Sequence, residues 1–468
     1  MKTPDILLIN PPFHMREGSG NFLPLGLGYI LSAVKNAGYD AEIVNCAESH
    51  HLFFEEELFQ FEKWLSEELA QFAPTLIGIG PCMTSQVKAL SIISRSCKIM
   101  HPNVPVVCGG PLATMEGQEW VFFEELRIPY IIKGDGEKSI PSAIKTLKTG
   151  LTLRECAVVS YDGHIIYNEI ADLNTIAFPC RLYGSNEIIS TRRKAIEQGK
   201  KSMPMITSRG CRYNCDYCVS GSMKQLKHRE RSNENIINEM IFLRDNYGIT
   251  DIIFYDDCFF NNPIKSTEDI AAFCGLLLRR EVNMTWQMEL RTDLLLSLTD
   301  SSLYLLEKSG CRQINIGVEK TTSNALKALG KTSIIDGLKD KNQHIREITT
   351  ISLTATFILG GIGEDENSVK QLIAESKQLS LSQAHFNPLF VYPATRIYEK
   401  YGLGNRDWYN IIQQDILPWG EIVFENENLS RDKILELLEF AYNEFYGSSN
   451  STSINLYSNR FNLRGRTL

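Results

Sequence analysis

Short apolar runs alternate with helical stretches along most of this 468-residue chain, and this alternation constrains the fold more than any other feature. In the first 140 residues, five runs have the length and apolar content of buried strands. They are DILLIN at 5–10, AEIVNC at 41–46, TLIGIG at 75–80, VPVVCGG at 104–110 and IPYIIKGDGE at 128–137. The pattern predicts an α/β fold with a parallel, doubly wound Rossmann-like sheet, in which ligands bind beyond the carboxyl ends of the strands.

The second half of the chain shows the same alternation with six further strands. They are predicted at 203–211, 251–260, 284–293, 313–321, 353–361 and 384–393. Six strand–helix units predict an open or partial (β/α)6 TIM-like barrel, with its chemistry at the carboxyl ends of the strands. The predicted domains are therefore residues 1–180, a linker to about 200, the barrel at 201–400, and a small, mostly helical region at 401–468 that caps it. Asp162-Gly163 predicts a hairpin turn at the end of the first domain.

The composition is that of an ordinary soluble protein. It is 43% hydrophobic and 22% charged, with a net charge of −8, which disfavours nucleic acid as a partner. No apolar run reaches the roughly 18 residues that cross a bilayer, and the first residues do not resemble a signal peptide. We therefore expect a cytoplasmic protein without a membrane partner, in a compartment where clustered cysteines bind metal more often than they form disulfides.

Three cysteines, Cys211, Cys215 and Cys218, fall within eight residues just after the first strand of the predicted barrel. Three is an odd number for disulfides, and the residues between them are polar, which disfavours a purely structural role in a core. A shared ligand set for a metal or a cluster remains. Structural zinc sites generally use four ligands in paired C-x2-C arms, whereas this spacing is C-x3-C-x2-C. Three thiolates on a four-iron cluster would leave one iron open for a substrate or cofactor.

This spacing, with Tyr217 before the last cysteine, resembles the signature of the radical S-adenosylmethionine superfamily. The resemblance implies a [4Fe-4S] cluster on the three cysteines and S-adenosylmethionine as cofactor. In place of the superfamily's Gly-Gly-Glu segment the chain has Asp256-Asp257, as in the cobalamin-linked branch, and Ile362 replaces a proline in LGGIGED. The expected S-adenosylmethionine-binding residues are Tyr217, Asp257, Glu289, Arg291, Glu319, Gly360 and Gly361. An alternative is that Arg291 and Glu319 form a structural ion pair across the barrel.

The first half resembles the cobalamin-binding domain that precedes the barrel in that branch, through LINPP, PLGLGYI, CGGPLAT and KGDGE. Small residues at strand ends would let a corrin and its nucleotide tail lie against bare backbone; the alternative is that these glycines only make tight turns. The Asp-x-His-x-x-Gly motif that supplies a cobalt ligand elsewhere is absent: His14 has the wrong spacing, and Asp162-Gly163-His164 is a turn. Cobalt without a histidine ligand is therefore expected. The expected cobalamin-binding residues are Asn10, Pro11, Pro24, Gly26, Thr84, Ser85, Gly109, Gly110, Pro111, Gly134, Gly136 and Glu137.

The resemblance implies a cobalamin-dependent radical S-adenosylmethionine methyltransferase, reduced by flavodoxin or ferredoxin. Its expected substrate is a small natural product or pathway intermediate, with a peptide as the alternative. An oxidative cyclase or rearrangement enzyme on the same scaffold is the competing hypothesis. A methylthiotransferase is disfavoured, because its three additional amino-terminal cysteines and basic carboxyl-terminal barrel are missing. A non-enzymatic cobalamin sensor or carrier is disfavoured, because this function would not explain the cysteine loop.

Overall fold

The structure is a computed structural model, and it describes residues 1–12, 25–46, 55–183, 187–188, 201–223, 225–261, 266–332, 335–414 and 423–447. Two of the residues singled out by the sequence, His14 and Pro24, lie outside these ranges. So do most of the expected linker before residue 200 and the polar run after residue 447.

The first sheet of the described residues is six-stranded and parallel, in the order β2-β1-β3-β4-β5-β6. Its strands are β1 Ile6–Asn10, β2 Ala41–Asn45, β3 Leu76–Ile79, β4 Val106–Gly109, β5 Tyr130–Gly134 and β6 Tyr167–Asn168. The strand order reverses between β1 and β3, which is where such sheets open a crevice at their carboxyl edge. The predicted parallel sheet is confirmed.

Helices cover both faces of this sheet, as the alternating side chains of β1 show. Leu7 and Ile9 pack on one face with the second and third helices, and Ile6 and Leu8 pack on the other with the first and fifth. Because both faces are buried, the strand is a continuous apolar run rather than an alternating one. The helices of this half are α1 Leu25–Asn36, α2 Glu55–Leu69, α3 Val87–Met100, α4 Pro111–Thr114 and α5 Ser139–Lys148.

Short helical turns and one small ribbon complete this half. The turns are Thr84–Gln86, Val121–Glu125, Leu153–Glu155 and Leu173–Thr175, and the ribbon joins β7 Leu182–Tyr183 to β8 Glu187–Ile188. The turn predicted at Asp162-Gly163 is confirmed by an antiparallel bridge between Tyr161 and His164. The chain beyond it does not continue as a second hairpin arm, because β6 pairs in parallel with β5.

The second sheet is a curled half-barrel of six parallel strands within the described ranges. The strands follow each other in chain order: β9 Ser202–Met205, β12 Asp251–Phe254, β13 Thr285–Arg291, β14 Cys311–Glu319, β15 Ser352–Leu359 and β16 Gln383–Pro388. A short antiparallel ribbon, β10 Ser208–Arg209 and β11 Arg229–Glu230, projects from its mouth. The prediction of six strands in a partial barrel is confirmed.

The helices of the second half lie on the outside of the half-barrel and beyond its last strand. They are α6 Val219–Ser222, α7 Asn233–Tyr247, α8 Ser266–Arg279, α9 Thr292–Ser297, α10 Asp300–Lys308, α11 Ser323–Ala328, α12 Leu338–Ile348, α13 Glu366–Gln378, α14 Arg396–Lys400, α15 Asp407–Gln414 and α16 Arg431–Tyr446. Most of their apolar faces meet the strands in one core around Phe254, Phe273 and Trp286, whose rings contact one another. Helices α14 and α15 instead pack through Ile397 and Trp408 into the core of the first half.

Helix α16 shields the edge strand of the half-barrel with two tyrosine hydroxyls. Tyr446 accepts from the Ala384 N–H at 2.9 Å and donates to the Ala384 carbonyl at 3.0 Å. Tyr442 makes the same pair of bonds to Phe386, at 3.0 and 2.9 Å. An edge strand otherwise presents unpaired backbone groups that recruit other strands. Each hydroxyl therefore takes the place of a neighbouring strand at one residue of β16.

We predict that replacing both tyrosines, Tyr442→Phe and Tyr446→Phe, lowers the free energy of unfolding by about 2–4 kcal/mol, because each change leaves buried backbone groups without partners. Hydrogen exchange at the Ala384 and Phe386 amides should accelerate at the same time, while Tyr304→Phe on an exposed position of α10 should change neither quantity. Unaltered exchange at the two amides in the double variant would contradict this account of the edge.

Candidate active site at the mouth of the half-barrel

The cysteine loop runs from the ribbon strand β10 to helix α6, at the carboxyl edge of the half-barrel. Gly210 turns the chain with a φ of 80°, a left-handed conformation that favours glycine, and Cys218 caps the amino end of α6. Cys211, Cys215 and Cys218 are all partly buried and carry free thiols. The structure therefore places the three predicted ligands on one loop at the edge where barrel chemistry was expected.

Burial raises the pKa of the Cys211 and Cys215 thiols, and neighbouring thiols of the loop raise it further. Lys331 and Arg291 lower the pKa of Cys215, because positive charge favours a thiolate. In the described part of the chain, no three His, Cys, Asp or Glu side chains are grouped to hold one metal ion. Iron–sulfur clusters are held by cysteine thiolates, so three free thiols on one partly buried loop are a donor set that fits a [4Fe-4S] cluster.

Asp216, between two of the cysteines, anchors the loop to the last part of the barrel. Its carboxylate accepts from Arg396 at 2.9 Å and from Lys400 at 2.5 Å, both on α14. Its backbone N–H donates to the Leu329 carbonyl, and its own carbonyl accepts from the Ile397 N–H, each at 3.0 Å. Because both its side chain and its backbone are tied to other elements, the protein's own groups hold the loop between Cys215 and Cys218.

Asp256, which follows β12 closely, holds the start of the same loop. Its carboxylate accepts from the backbone and hydroxyl groups of Thr207 and Ser208, at 2.6–3.1 Å. Complete burial nevertheless raises the pKa of this carboxyl to about 6. Its neighbour Asp257 is exposed and accepts from the Ser220 hydroxyl at 2.8 Å. The Asp-Asp pair thus divides into one buried structural carboxylate and one exposed carboxylate that contacts α6.

Arg291 does not pair with Glu319, so the interpretation of these two residues as an ion pair across the barrel is wrong. The guanidinium of Arg291 forms a fork with Asp293, at 3.0 and 3.1 Å, two residues along the chain. Its carbon lies 3.6 Å from the centre of the Tyr213 ring, inside the cysteine loop. No sequence pattern indicated this contact, because Tyr213 and Arg291 are distant in the chain.

Glu319 ends β14 in a left-handed conformation, with a φ of 64°, beside an irregularity in the strand pairing. One of its carboxylate oxygens accepts from the Tyr217 hydroxyl and from Lys331 Nζ, both at 3.1 Å. A side chain other than glycine in this backbone conformation is uncommon and is held by its surroundings. Tyr217 belongs to the cysteine loop, so Glu319 links that loop to β14.

Glu289 lies on the neighbouring strand, where Asn315 of β14 donates to its carboxylate at 2.9 Å. Gly360 and Gly361 form the turn after β15. Gly360 has a φ of 74° and packs against Ile434 of α16, and the Gly361 N–H donates to Glu364 at 2.5 Å. All seven residues predicted for S-adenosylmethionine therefore lie on the loop or toward the carboxyl ends of the half-barrel strands.

A cavity of about 330 Å³ opens at the carboxyl edge of the first sheet and reaches the ribbon strand β10. Six of the residues predicted to bind cobalamin line it: Gly26, Gly109, Gly110, Gly134, Gly136 and Glu137. Among the described residues, a Cβ atom added at Gly26 would meet no atom within 4 Å, and one at Gly109 would meet only the Ile132 carbonyl oxygen, at 3.7 Å. These two glycines therefore leave room in the cavity that a larger side chain would fill.

Other glycines of this edge serve the protein's own packing as well. A Cβ at Gly110, whose φ is 114°, would lie 2.5 Å from the Cys82 nitrogen, and one at Gly136 would lie 2.6 Å from Ile30. The alternative that glycines here make tight turns thus applies to Gly110. Substitution of Gly110 would disturb the loop before it disturbed any ligand.

Five further residues expected to bind cobalamin do not line this cavity: Asn10, Pro11, Thr84, Ser85 and Pro111. The Asn10 side chain is fully buried and donates to Asn45 on the neighbouring strand at 2.6 Å. Sequence patterns find strand ends, but they do not show which side chains at a strand end turn toward the crevice. The cavity is also lined by residues that were not among the expected cobalamin-binding residues: Tyr29, Asp135, Ile206 and Arg209.

None of the helices in the described ranges is long and apolar enough to cross a membrane. The family model of the radical SAM superfamily matches residues 205–375, which contain the cysteine loop and four complete strands of the half-barrel, β12 to β15.

Curated relatives match most of the chain. An uncharacterized methyltransferase of Pyrococcus horikoshii is 26% identical over 465 residues, covering 95% of this chain and 93% of its own. The anaerobic magnesium-protoporphyrin IX monomethyl ester cyclase of Synechocystis is 24% identical over 367 residues, covering 75% of this chain and 68% of its own.

Among solved structures, the radical S-adenosylmethionine methyltransferase TsrM of Kitasatospora setae superposes with a TM-score of 0.67 at 18% identity. The match covers 85% of this chain and 75% of TsrM. Coverage of that extent takes in residues of both sheets and shows a shared fold. This chain is therefore an enzyme with a radical SAM domain at residues 205–375, and its two sheets together share the fold of TsrM.

Proposed function

We propose that this enzyme is a cobalamin-dependent radical S-adenosylmethionine methyltransferase that methylates an unactivated carbon of a small molecule. The observation that carries the proposal is the position of the two sites. The glycine-lined cavity of the first sheet and the cysteine loop of the half-barrel adjoin one short ribbon, and Arg209 of that ribbon lines the cavity. Two cofactors held there would face one reaction space.

Two comparisons support this function. The Pyrococcus horikoshii relative, which aligns over nearly the whole chain, is named a methyltransferase. TsrM, which shares the fold, has been solved with tryptophan and an S-adenosylmethionine analogue, and also with cobalamin and a [4Fe-4S] cluster. The same three cofactors are proposed for this chain, and we infer a small-molecule substrate and a flavodoxin or ferredoxin as electron donor.

The residues of the chain would have the following roles. Cys211, Cys215 and Cys218 would hold the cluster, while the carboxylates of Glu289 and Glu319 hold polar groups of the S-adenosylmethionine. The contact between the Tyr213 ring and the Arg291 guanidinium would hold the cysteine loop in one conformation. The bound cofactors supply the methyl group and the radical that removes hydrogen from the substrate. The facing carboxyl edges of the two sheets would exclude water from the reaction space.

A cyclase or rearrangement enzyme is the second candidate function, favoured by the Synechocystis cyclase, which aligns over three quarters of this chain. The two functions use the same scaffold and differ in what is transferred to the substrate. Product analysis with labelled S-adenosylmethionine separates them.

The first prediction from the proposed function concerns the cysteine loop. After anaerobic reconstitution the wild-type protein should contain about four irons per chain, because three thiolates bind one [4Fe-4S] cluster. The triple variant Cys211→Ala, Cys215→Ala, Cys218→Ala should retain none, as measured by iron analysis and absorbance.

Two other cysteines provide controls. Cys258→Ala removes a buried thiol close to Cys211. Cys311→Ala removes a thiol at the start of β14, at the amino-terminal edge of the half-barrel. Both variants should keep the full iron content. Retention of iron by the triple variant would refute the assignment.

The second prediction concerns the cavity. Gly26→Leu places a branched side chain in the cavity, starting from a position where an added Cβ meets no described atom within 4 Å. Leucine also suits the helix that carries it. Cobalamin affinity, measured by absorbance titration, should fall by about tenfold or more, which corresponds to the loss of about 1.4 kcal/mol of binding free energy.

The matched control is Asn36→Leu, which places a leucine on an exposed position of the same helix and should leave the affinity unchanged. The bound cobalamin should show a base-off spectrum without a histidine ligand, so His14→Ala should not alter it. Equal affinities of Gly26→Leu and wild type would place cobalamin elsewhere.

The third prediction concerns the reaction. Methylation through this scheme consumes two S-adenosylmethionine molecules, so S-adenosylhomocysteine and 5′-deoxyadenosine should form in near-equal amounts. With methyl-deuterated S-adenosylmethionine, mass spectrometry should find one labelled methyl in the product, and the triple cysteine variant should form no deoxyadenosine. If deoxyadenosine accompanies turnover of the true substrate but no label enters the product, the cyclase or rearrangement function replaces methyl transfer.

A further inference from the structure

The cysteine loop is closed at its base by the ribbon of β10 and β11. Ser208 pairs with Glu230 and Arg209 with Arg229, so the residues just before Gly210 are joined to those that follow α6. His228, next to the ribbon, adds a hydrogen-bonded contact of 2.8 Å to the Gly210 carbonyl. Any movement of this ribbon therefore moves both ends of the loop that carries the three thiols.

Both arginines of the ribbon reach out of the half-barrel and end on one carboxylate of the first half. Arg209 donates to Asp135 at 2.6 Å, and Arg229 donates to the other oxygen of Asp135. Arg209 also donates to both oxygens of Glu137. The side chains of Asp135, Glu137 and Arg229 are only 5%, 7% and 7% exposed, and that of Arg209 is 18% exposed.

The same network forms one wall of the cavity. Asp135, Gly136, Glu137 and Arg209 all line it, and the Arg209 guanidinium lies 5.1 Å from the centre of the Tyr29 ring, which lines it too. A molecule that fills the cavity must contact the ion pairs that hold the ribbon. The geometry therefore connects the occupant of the cavity to the cysteine loop through these charged side chains.

We propose that Arg209 is a positioning residue that couples the two cofactor sites, so that cobalamin in the cavity and a cluster on the cysteine loop stabilise each other's binding. This inference rests on the proposed function, because it takes cobalamin as the occupant of the cavity. Asp135 and Glu137 are the partners through which Arg209 acts.

The coupling has a physical origin in desolvation. An occupant of the cavity displaces water from the part of Arg209 that is still exposed, and charge pairs strengthen when the surrounding dielectric constant falls. Stronger pairs between Arg209 and its two carboxylates hold the ribbon more firmly, and with it both ends of the cysteine loop, which favours the loop geometry that binds a cluster. Linkage requires the effect to be reciprocal for the two binding equilibria.

The test compares hydroxocobalamin affinity in two forms of the full chain under anaerobic conditions. One form carries the reconstituted cluster, and the other carries the Cys211→Ala, Cys215→Ala, Cys218→Ala substitutions and no cluster. In the wild-type background the cluster should increase the affinity by at least about fivefold, the lower end of typical coupling between sites. In the Arg209→Gln background the ratio of the two affinities should fall to about one.

Two other substitutions sharpen the comparison. Glu137→Gln weakens one partner of Arg209 and leaves Asp135 in place, so an intermediate ratio is expected even if Arg209→Gln is poorly folded. Arg406→Gln is the matched control, because Arg406 also pairs with carboxylates of the first half, Glu124 and Glu125, but is half-exposed and does not line the cavity. Its ratio should equal that of the wild type.

A second readout follows the cluster instead of cobalamin. Loss of iron to a chelator should slow when hydroxocobalamin is bound to the wild type, and this protection should vanish in Arg209→Gln. Equal cobalamin affinity with and without the cluster in the wild type, or an unchanged ratio in Arg209→Gln, would overturn the coupling while leaving the proposed function in place. No binding of cobalamin to any form would overturn both.

Discussion

Buried arginine–carboxylate pairs between the two halves are the interaction on which the candidate site depends. Asp135, which follows β5, receives two arginines from the ribbon of the half-barrel, and Arg209 spans Asp135 and Glu137. Removing one partner of such a buried pair leaves an uncompensated charge, which typically costs about 3–5 kcal/mol. The pairs therefore favour one arrangement of the two carboxyl edges over others, and the cavity meets the cysteine loop only in that arrangement.

A second buried arginine network reinforces the same junction. Arg181, where the chain leaves the first domain, donates to the Pro204 carbonyl of β9 and to Glu239 of α7, both at 2.7 Å. Arg231 contacts the other oxygen of Glu239 at 2.7 Å. Guanidinium groups suit this role because their planar donors satisfy a carboxylate and a backbone carbonyl together. Buried charged groups thus help to fix the position of one half relative to the other at this junction.

Within the half-barrel, each part of the cysteine loop is held by a different element. Asp256 after β12 holds its start, Arg291 of β13 stacks on Tyr213 in its middle, and Glu319 of β14 binds Tyr217 near its end. Asp216 ties it to α14. A loop held at four points by separate elements is preorganised for its ligand, which reduces the conformational entropy lost on binding.

The sequence alone determined the strands, their parallel arrangement and the position of the three cysteines, because these depend on local apolar runs and on spacing along the chain. It also located Glu289 and Glu319 correctly toward strand ends. The stacking of Arg291 on Tyr213, the orientation of Asn10 and the ion pairs of Arg209 depend on residues far away in sequence. Only the tertiary structure decided them, because the distant partners of a side chain depend on which strand ends lie next to each other in space. Local sequence patterns do not specify that arrangement.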